Sequence, residues 1–264
     1  MSKLLSIITV NYNDKQGLEK TIKSVLGQVE AEYEFLLLDG GSTDGSLQVI
    51  EAYAPQLTYW VSEKDRGVYD AMNKGIAKAT GQYLMFLNGG DCLSSPTVLQ
   101  ESAALLTQRP AIDILYGDVH AVGYAEGRVR WRYPCELTLG FFKNLTLNHQ
   151  ASFIKASLFN EIGLYSEEYK IASDYLFFLQ CMLQSKVYAH MPAAIVEYDS
   201  NGMSAAENYK SYKLEMQTIW DALVPAWGQR LIDENIQLST TVNARVVKLA
   251  IGLNDSLRAL FRRN

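Results

Sequence analysis

The first 120 residues alternate short apolar runs with stretches of helical periodicity. Leu4 to Val10 is continuously apolar and rich in β-branched residues, the pattern of a strand buried on both faces. The polar Asn11-Tyr12-Asn13-Asp14 ends it, and Leu18, Ile22, Val25 and Leu26 then recur at helical spacing. A second apolar run, Phe35 to Leu38, stops at Asp39-Gly40-Gly41-Ser42, and a short helix over 46–53 must end before Pro55. Leu57 to Val61 predicts a third strand, Val68 to Lys78 a helix closed by Gly81, and Tyr83 to Leu87 a fourth strand that runs into Asn88-Gly89-Gly90-Asp91. Ser95-Pro96 predicts a cap with proline at the first helical position, and Ile112 to Tyr116 the last strand of the series.

This alternation predicts an α/β fold with a mostly parallel sheet flanked by helices. Ligands of such sheets bind at the carboxyl ends of the strands. That rule selects 11–13, 39–42, 62–67 and 88–91, all polar or glycine-bearing. Beyond His120 the pattern changes. Val129, Trp131 and Tyr133 alternate like a half-exposed strand, an aromatic region follows over 137–142, and a short helix is expected near Ser157. A strong helical run covers 175–184 after Ser173-Asp174, and helix is expected from about Ser204 with a break at 225–228. The expected organisation is a domain over 1–203, divided near residue 120, with a helical C-terminal extension over 204–264.

The chain has 264 residues, 48% apolar and 20% charged, and its 24 basic against 29 acidic side chains give a net charge of −5. An acidic balance argues against a general nucleic-acid binder but leaves a small phosphate-bearing ligand open. Cys92, Cys135 and Cys181 are spaced too widely for a zinc site or a disulfide framework, which fits a reducing cytosol. There is no signal-peptide pattern, and no run reaches the roughly 20 apolar residues of a membrane span. A cytoplasmic protein is expected, with a place at the inner face of the membrane left open.

Among the strand-end loops, Asp39 is suited to accept hydrogen bonds from a nucleobase or ribose, and equally to cap a turn. In Asn88-Gly89-Gly90-Asp91 the glycines allow a pyrophosphate to approach the backbone, and a carboxylate suits a hard cation such as Mg²⁺ or Mn²⁺ that phosphates help to ligate. A tight turn explains the same four residues. Lys64 and Arg66 precede a helix on which Asp70 shares a face with Asn73 or Lys74; they are candidates for phosphate contact or simply solvated charges. Asp174 is placed either to cap its helix or to act as a general base on an acceptor hydroxyl. His149 is a secondary candidate, for orienting substrate or touching phosphate.

Together, ITVNYND at 8–14, LLLDGGSTDGS at 36–46, EKDRGVYDAMNKGIAKATGQYLMFLNGGD at 63–91 and the stretch from NHQASF to ASDY over 148–175 resemble glycosyltransferase family 2, inverting enzymes of the GT-A-type fold. The resemblance runs from about residue 4 to 200. It implies that residues 1–120 bind a nucleotide sugar and 121–203 face the acceptor. Thr9, Asn11 and Asp39 would surround the nucleotide, most often uridine. Asp70 and Asn73 would line the donor pocket, with Arg66, Asn88 and His149 also on the donor side. Asp91 corresponds to the metal-binding aspartate of the DxD-like motif and Asp174 to the catalytic base. A divalent metal, Mn²⁺ or Mg²⁺, would be the cofactor. The motif has lost its earlier carboxylates here, so Asp91 alone would anchor the metal. The Gln-x-x-Arg-Trp signature of processive synthases is absent, which implies one sugar per encounter, passed to a glycan or lipid-linked acceptor in polysaccharide assembly.

A dinucleotide-binding dehydrogenase is disfavoured, because no G-x-G-x-x-G follows the first strand. A sugar nucleotidyltransferase and a non-catalytic nucleotide-sugar-binding scaffold are the alternatives. The segment 242–263 is amphipathic and ends in Arg258, Arg262 and Arg263. It is suited to an anionic membrane surface, to packing on the catalytic domain or to a homodimer contact.

Overall fold

The computed structural model describes residues 3–124, 127–199 and 208–238. Its centre is a nine-stranded mixed sheet flanked by helices. The first half follows the apolar runs: β1 (Leu5–Asn11), β2 (Tyr33–Asp39), β3 (Tyr59–Ser62) and β4 (Tyr83–Asn88) are linked by α1 (Lys15–Leu26), α2 (Ser46–Tyr53) and α3 (Val68–Lys78). All of their pairings are parallel, in the order β3-β2-β1-β4. The strand order therefore reverses direction at β1, the place where an open α/β sheet leaves a crevice at its carboxyl edge.

These strands are apolar on both faces because helices cover both. Ile7, Leu37 and Met85 pack with Leu18, Ile22 and Val25 of α1 and Val49 and Ile50 of α2. Their neighbours Ile8, Leu38 and Phe86 point the other way, into a core shared with Met72 of α3. Alternation along a strand puts successive side chains on opposite faces.

The second half departs from simple alternation. The predicted strand at 112–116 is the start of a longer one, β6 (Ile114–Tyr124), which follows α4 (Val98–Gln108) and does not pair with β4. Instead β8 (Ser152–Lys155) lies between them, antiparallel to both. The alternating 129–133 segment forms β7 (Gly127–Trp131), a hairpin partner of β6. A strand not expected from the sequence, β9 (Tyr188–Asp199), runs parallel to β6 and carries the two-residue β5 (Cys92–Leu93) on its far edge. Pro192 sits where the register jumps from Gly117↔Met191 to Asp118↔Ala194. A bulge is where a strand tolerates a residue without an N–H, and the proline is what made this segment read as a non-strand.

Two expected helix ends also move. Ala79, in extended conformation, ends α3, and Gly81 instead lies against Ser6, whose backbone N would be 2.8 Å from an added Cβ. Thr97, not Ser95, precedes α4, so Pro96 stays outside the helix.

Beyond β7 come α5 (Leu139–Phe142), α6 (Leu158–Glu161) and α7 (Ser173–Leu183), the last matching the predicted helical run. The C-terminal part is helical: α8 (Tyr209–Leu223) buries Met216, Ile219 and Trp220 in the core that also holds Phe177 and Phe178 of α7. After the break at Pro225, residues 226–238 are again helical. The segment 242–263 lies outside the described residues. Among the described residues, no helix is long and apolar enough to cross a membrane.

Candidate functional site

Register brings the strand-end residues together. Asn11 of β1 is paired with Asp39 of β2, Asp39 with Ser62 of β3, and Val10 with Asn88 of β4. A cavity of about 1280 Å³ opens at this edge, and Asn11, Lys64, Asn88, Asp91, His149 and Asp174 all line it.

Asp39 is 2% exposed and lies just off the wall, which continues through Gly40 and Gly41. Its carboxylate accepts from Asn11 Nδ2 at 2.8 Å, Ser42 N at 2.9 Å, Ser42 Oγ at 2.5 Å and Ser62 Oγ at 2.6 Å. Burial pushes this carboxyl up, but the bonds from Ser42, Ser62 and Asn11 outweigh it and hold it below the ordinary value. Asp39 thus fixes the loop and Asn11 at once. Asn11 Oδ1 and Asn88 Oδ1, by contrast, are buried without a hydrogen-bond partner. Two unmet acceptors on the wall of a cavity are places for a ligand's donors or a cation.

The 88–91 loop is pinned from below by α1. Thr21 Oγ1 accepts from Gly90 N at 3.0 Å and donates to Asp91 O at 2.7 Å. Gly90 has φ +100°, a conformation that favours glycine. Asp14 caps α1 by accepting from Gly17 N at 2.9 Å, and Gly17 lies so close that an added Cβ would be 2.8 Å from Gly90 Cα. Asp91 is 3% exposed, and its Oδ1 accepts from Asp199 N at 3.0 Å. Burial pushes its carboxyl up to about 7, against the smaller opposing effects of the Asp199 amide, His149 and Gln150.

Other expected residues lie elsewhere. Thr9 is wholly buried between Leu37 and Leu87, on the α1 face of the sheet, and does not reach the cavity. Its place one pleat back from Asn11 explains why strand position alone misleads. Arg66 is spanned by Asp70 and Glu167, each 2.8 Å from its guanidinium, and is not on the cavity wall. Asp70 also accepts from Arg66 N at 3.0 Å, so it ties down the turn before α3. Asn73 clasps the backbone of Tyr165, donating to its O at 2.8 Å and accepting from its N at 3.1 Å. In this arrangement these three are occupied in holding α3 against 165–167, and of the α3 approach only Lys64 faces the cavity.

The remaining pair comes from the second half. His149 stands on a single 3-10 turn before β8, and Asp174 in the first turn of α7. Both are 8% exposed, and His149 Nδ1 is 3.0 Å from Asp174 Oδ2. Asp174 Oδ1 accepts from Tyr175 N at 2.8 Å, with the Tyr69 hydroxyl 3.3 Å away. Sequence reasoning missed Asp14, Thr21 and Asp199, and missed Trp131, Tyr198 and Tyr212, which wall the far side of the cavity. Asp14 stood in a selected strand-end loop, but nothing in the sequence marks Asp199 once β9 goes unrecognised.

The site also bears on whether a divalent cation fits. Asp91 offers a buried carboxylate raised by lack of charge compensation, and Asn88 Oδ1 of the same loop is an unpartnered oxygen. Hard cations take such oxygen donors together with phosphates and water. Among the described residues, no group of three His, Cys, Asp or Glu side chains is arranged to hold a metal. The residues present therefore fit a cation that a bound diphosphate completes, and do not form a closed protein cage.

Residues 6–162 match the family model described as glycosyl transferase family 2. An uncharacterized glycosyltransferase of Mycobacterium tuberculosis is 34% identical over 202 residues, 76% of this chain and 77% of that one. The Staphylococcus aureus TarS 1–349 structure in complex with UDP-GlcNAc superposes with a TM-score of 0.67 at 20% identity, covering 86% of this chain and 70% of that one. Of a longer TarS chain the match spans 42%. A mannosyltransferase from Pyrobaculum calidifontis, solved with GDP-Man and Mn²⁺, superposes with a TM-score of 0.58 at 16% identity over 75% of this chain and 57% of that one. With a parallel half-sheet that gathers Asn11, Asn88 and Asp91 at its edge and the fold of known sugar transferases, this chain belongs to glycosyl transferase family 2 and is a glycosyltransferase.

Proposed function

We propose that this enzyme moves one sugar from a UDP-linked donor to a hydroxyl of a glycan or lipid-linked acceptor, with inversion at the anomeric carbon. The observation that carries this reading is the meeting in one cavity of two chemistries: unmet oxygens and a buried carboxylate from the β1–β4 edge, and the His149–Asp174 pair from the second half. The nucleotide would lie over residues 1–120, against Asn11 and the loop that Asp39 fixes, and Lys64 at the cavity wall would meet phosphate. Residues 121–203 and the start of the C-terminal extension, 204–264, would face the acceptor. There the Trp131, Tyr198 and Tyr212 rings offer rigid apolar area with polar edges.

Asp91, with Asn88 Oδ1, would hold a divalent cation, Mn²⁺ or Mg²⁺. That cation supplies charge stabilisation to the diphosphate as it departs. The protein's own groups do the rest: the strand-end loops orient the donor, the buried walls exclude water, and the His149–Asp174 pair receives the proton of the attacking hydroxyl. Support for a nucleotide-sugar donor comes from the fold shared with structures solved on UDP-GlcNAc and GDP-Man.

The test is a screen of UDP-, GDP- and dTDP-sugars by thermal shift with Mn²⁺, followed by turnover on the best donor. A UDP-sugar is expected to give the largest shift, and turnover to release UDP with an inverted product. Release of pyrophosphate would mark a nucleotidyltransferase instead.

A further inference from the structure

We infer that His149 is the group that takes the proton from the acceptor hydroxyl, and that Asp174 is the positioning residue that aims it. This rests on the sugar transfer proposed above and specifies which member of the pair does the chemistry.

Asp174 has little left to offer an incoming hydroxyl. Oδ1 receives Tyr175 N at 2.8 Å and faces the Tyr69 hydroxyl, whose hydrogen is also directed to Ile171 O at 2.8 Å. Oδ2 receives His149 Nδ1–H at 3.0 Å. A base must have a lone pair pointing at the proton it removes, and both carboxylate oxygens here are turned towards protein.

The imidazole is placed the other way. An Nδ1–H donated to a carboxylate leaves the lone pair on Nε2. The neighbour of Nε2 is Asn88 Nδ2 at 3.5 Å, long for a hydrogen bond. That amide also belongs to the cavity wall, as His149 does. Nε2 therefore points along the wall towards the donor loop, with a partner that a substrate hydroxyl can displace. The titratable groups around the ring are Asp174 of α7, Asp91 of the loop after β4, Tyr69 of α3, Tyr133 ahead of α5, and Tyr212 of α8. None of them except Asp174 has a hydrogen bond to the imidazole.

The step balances as follows. The acceptor oxygen bonds to the anomeric carbon as the bond from that carbon to the phosphate oxygen breaks. The electron pair of the broken bond leaves with the nucleoside diphosphate. The acceptor proton passes to His149 Nε2, and Asp174 stabilises the resulting imidazolium, the division of labour of a carboxylate–histidine pair.

The test uses the full chain with the best donor and acceptor, and chemical rescue. His149→Ala is expected to lose about 10²–10⁴ in turnover while binding UDP-sugar as the wild type does. Added imidazole is expected to restore turnover at least about tenfold, because the cavity admits it where the ring was removed. Asp174→Ala is expected to lower kcat with KM for donor unchanged, and formate is expected not to restore it. The inference is overturned if His149→Ala keeps wild-type turnover, if imidazole fails to rescue it with donor binding intact, or if formate rescues Asp174→Ala. Failure of wild type to transfer any sugar would instead remove the underlying reaction.

Discussion

On the β1–β4 side the cavity wall is written into backbone register. Asn11, Asp39 and Ser62 stand abreast because parallel strands end together, and Asn88 follows from the same pairing on the other flank. On the opposite side, His149 and Asp174 are 25 residues apart, on a single turn and a helix start, and meet through one 3.0 Å contact. The first region is held by many hydrogen bonds that a single side chain cannot undo. The second is held by side chains themselves. Substitution should therefore change ligand affinity on the first side and chemistry on the second.

The largest effect should come from breaking the second side. Asp174→Asn is expected to lower sugar transfer by about 10²–10⁴, measured as UDP release with saturating acceptor. Next, Asp91→Asn should weaken UDP binding in Mn²⁺ by about tenfold or more, some 1.4 kcal/mol, while binding measured in EDTA changes little. Smaller still is Gly17→Ala, whose Cβ would meet the Gly90 backbone. It should cost about 1–3 kcal/mol and lower the melting temperature, with the donor loop displaced and UDP affinity reduced alongside.

The pH dependence of stability in EDTA sharpens the same contrast. Burial raises the Asp91 carboxyl to about 7 from a model value of 3.8. A raised carboxyl favours the folded state while protonated, so its contribution is fully present below about pH 4 and lost as pH climbs through 7. Wild type should thus lose melting temperature relative to Asp91→Asn between those values, and Mn²⁺ with UDP should reverse the loss. The smallest expected effect concerns the basic 242–263 segment: a chain ending at 238 should float less well with anionic vesicles than the full chain.

The same division governs what the sequence revealed. Strands buried on both faces announce themselves as apolar runs, and their polar ends follow, so Asn11, Asn88 and Asp91 were accessible from pattern alone. Thr9 was not separable from Asn11, because strand phase does not say where the sheet edge lies. Arg66, Asp70 and Asn73 look like a binding helix, yet their partners Glu167 and Tyr165 arrive from a distant segment that no local pattern announces. β9 was hidden by Pro192 at its bulge, and with it Asp199 beside Asp91. The sequence placed Asp174 at a helix start, but its hydrogen bond to His149 depends on how α7 packs against β8 and the turn before it.

The most direct test is a calorimetric titration of UDP in Mn²⁺ into wild type, Asp91→Asn and Asp174→Asn. The division proposed here requires Asp91→Asn to weaken binding about tenfold or more and Asp174→Asn to leave it within about twofold. Equal weakening by both substitutions, or none by Asp91→Asn, would contradict it.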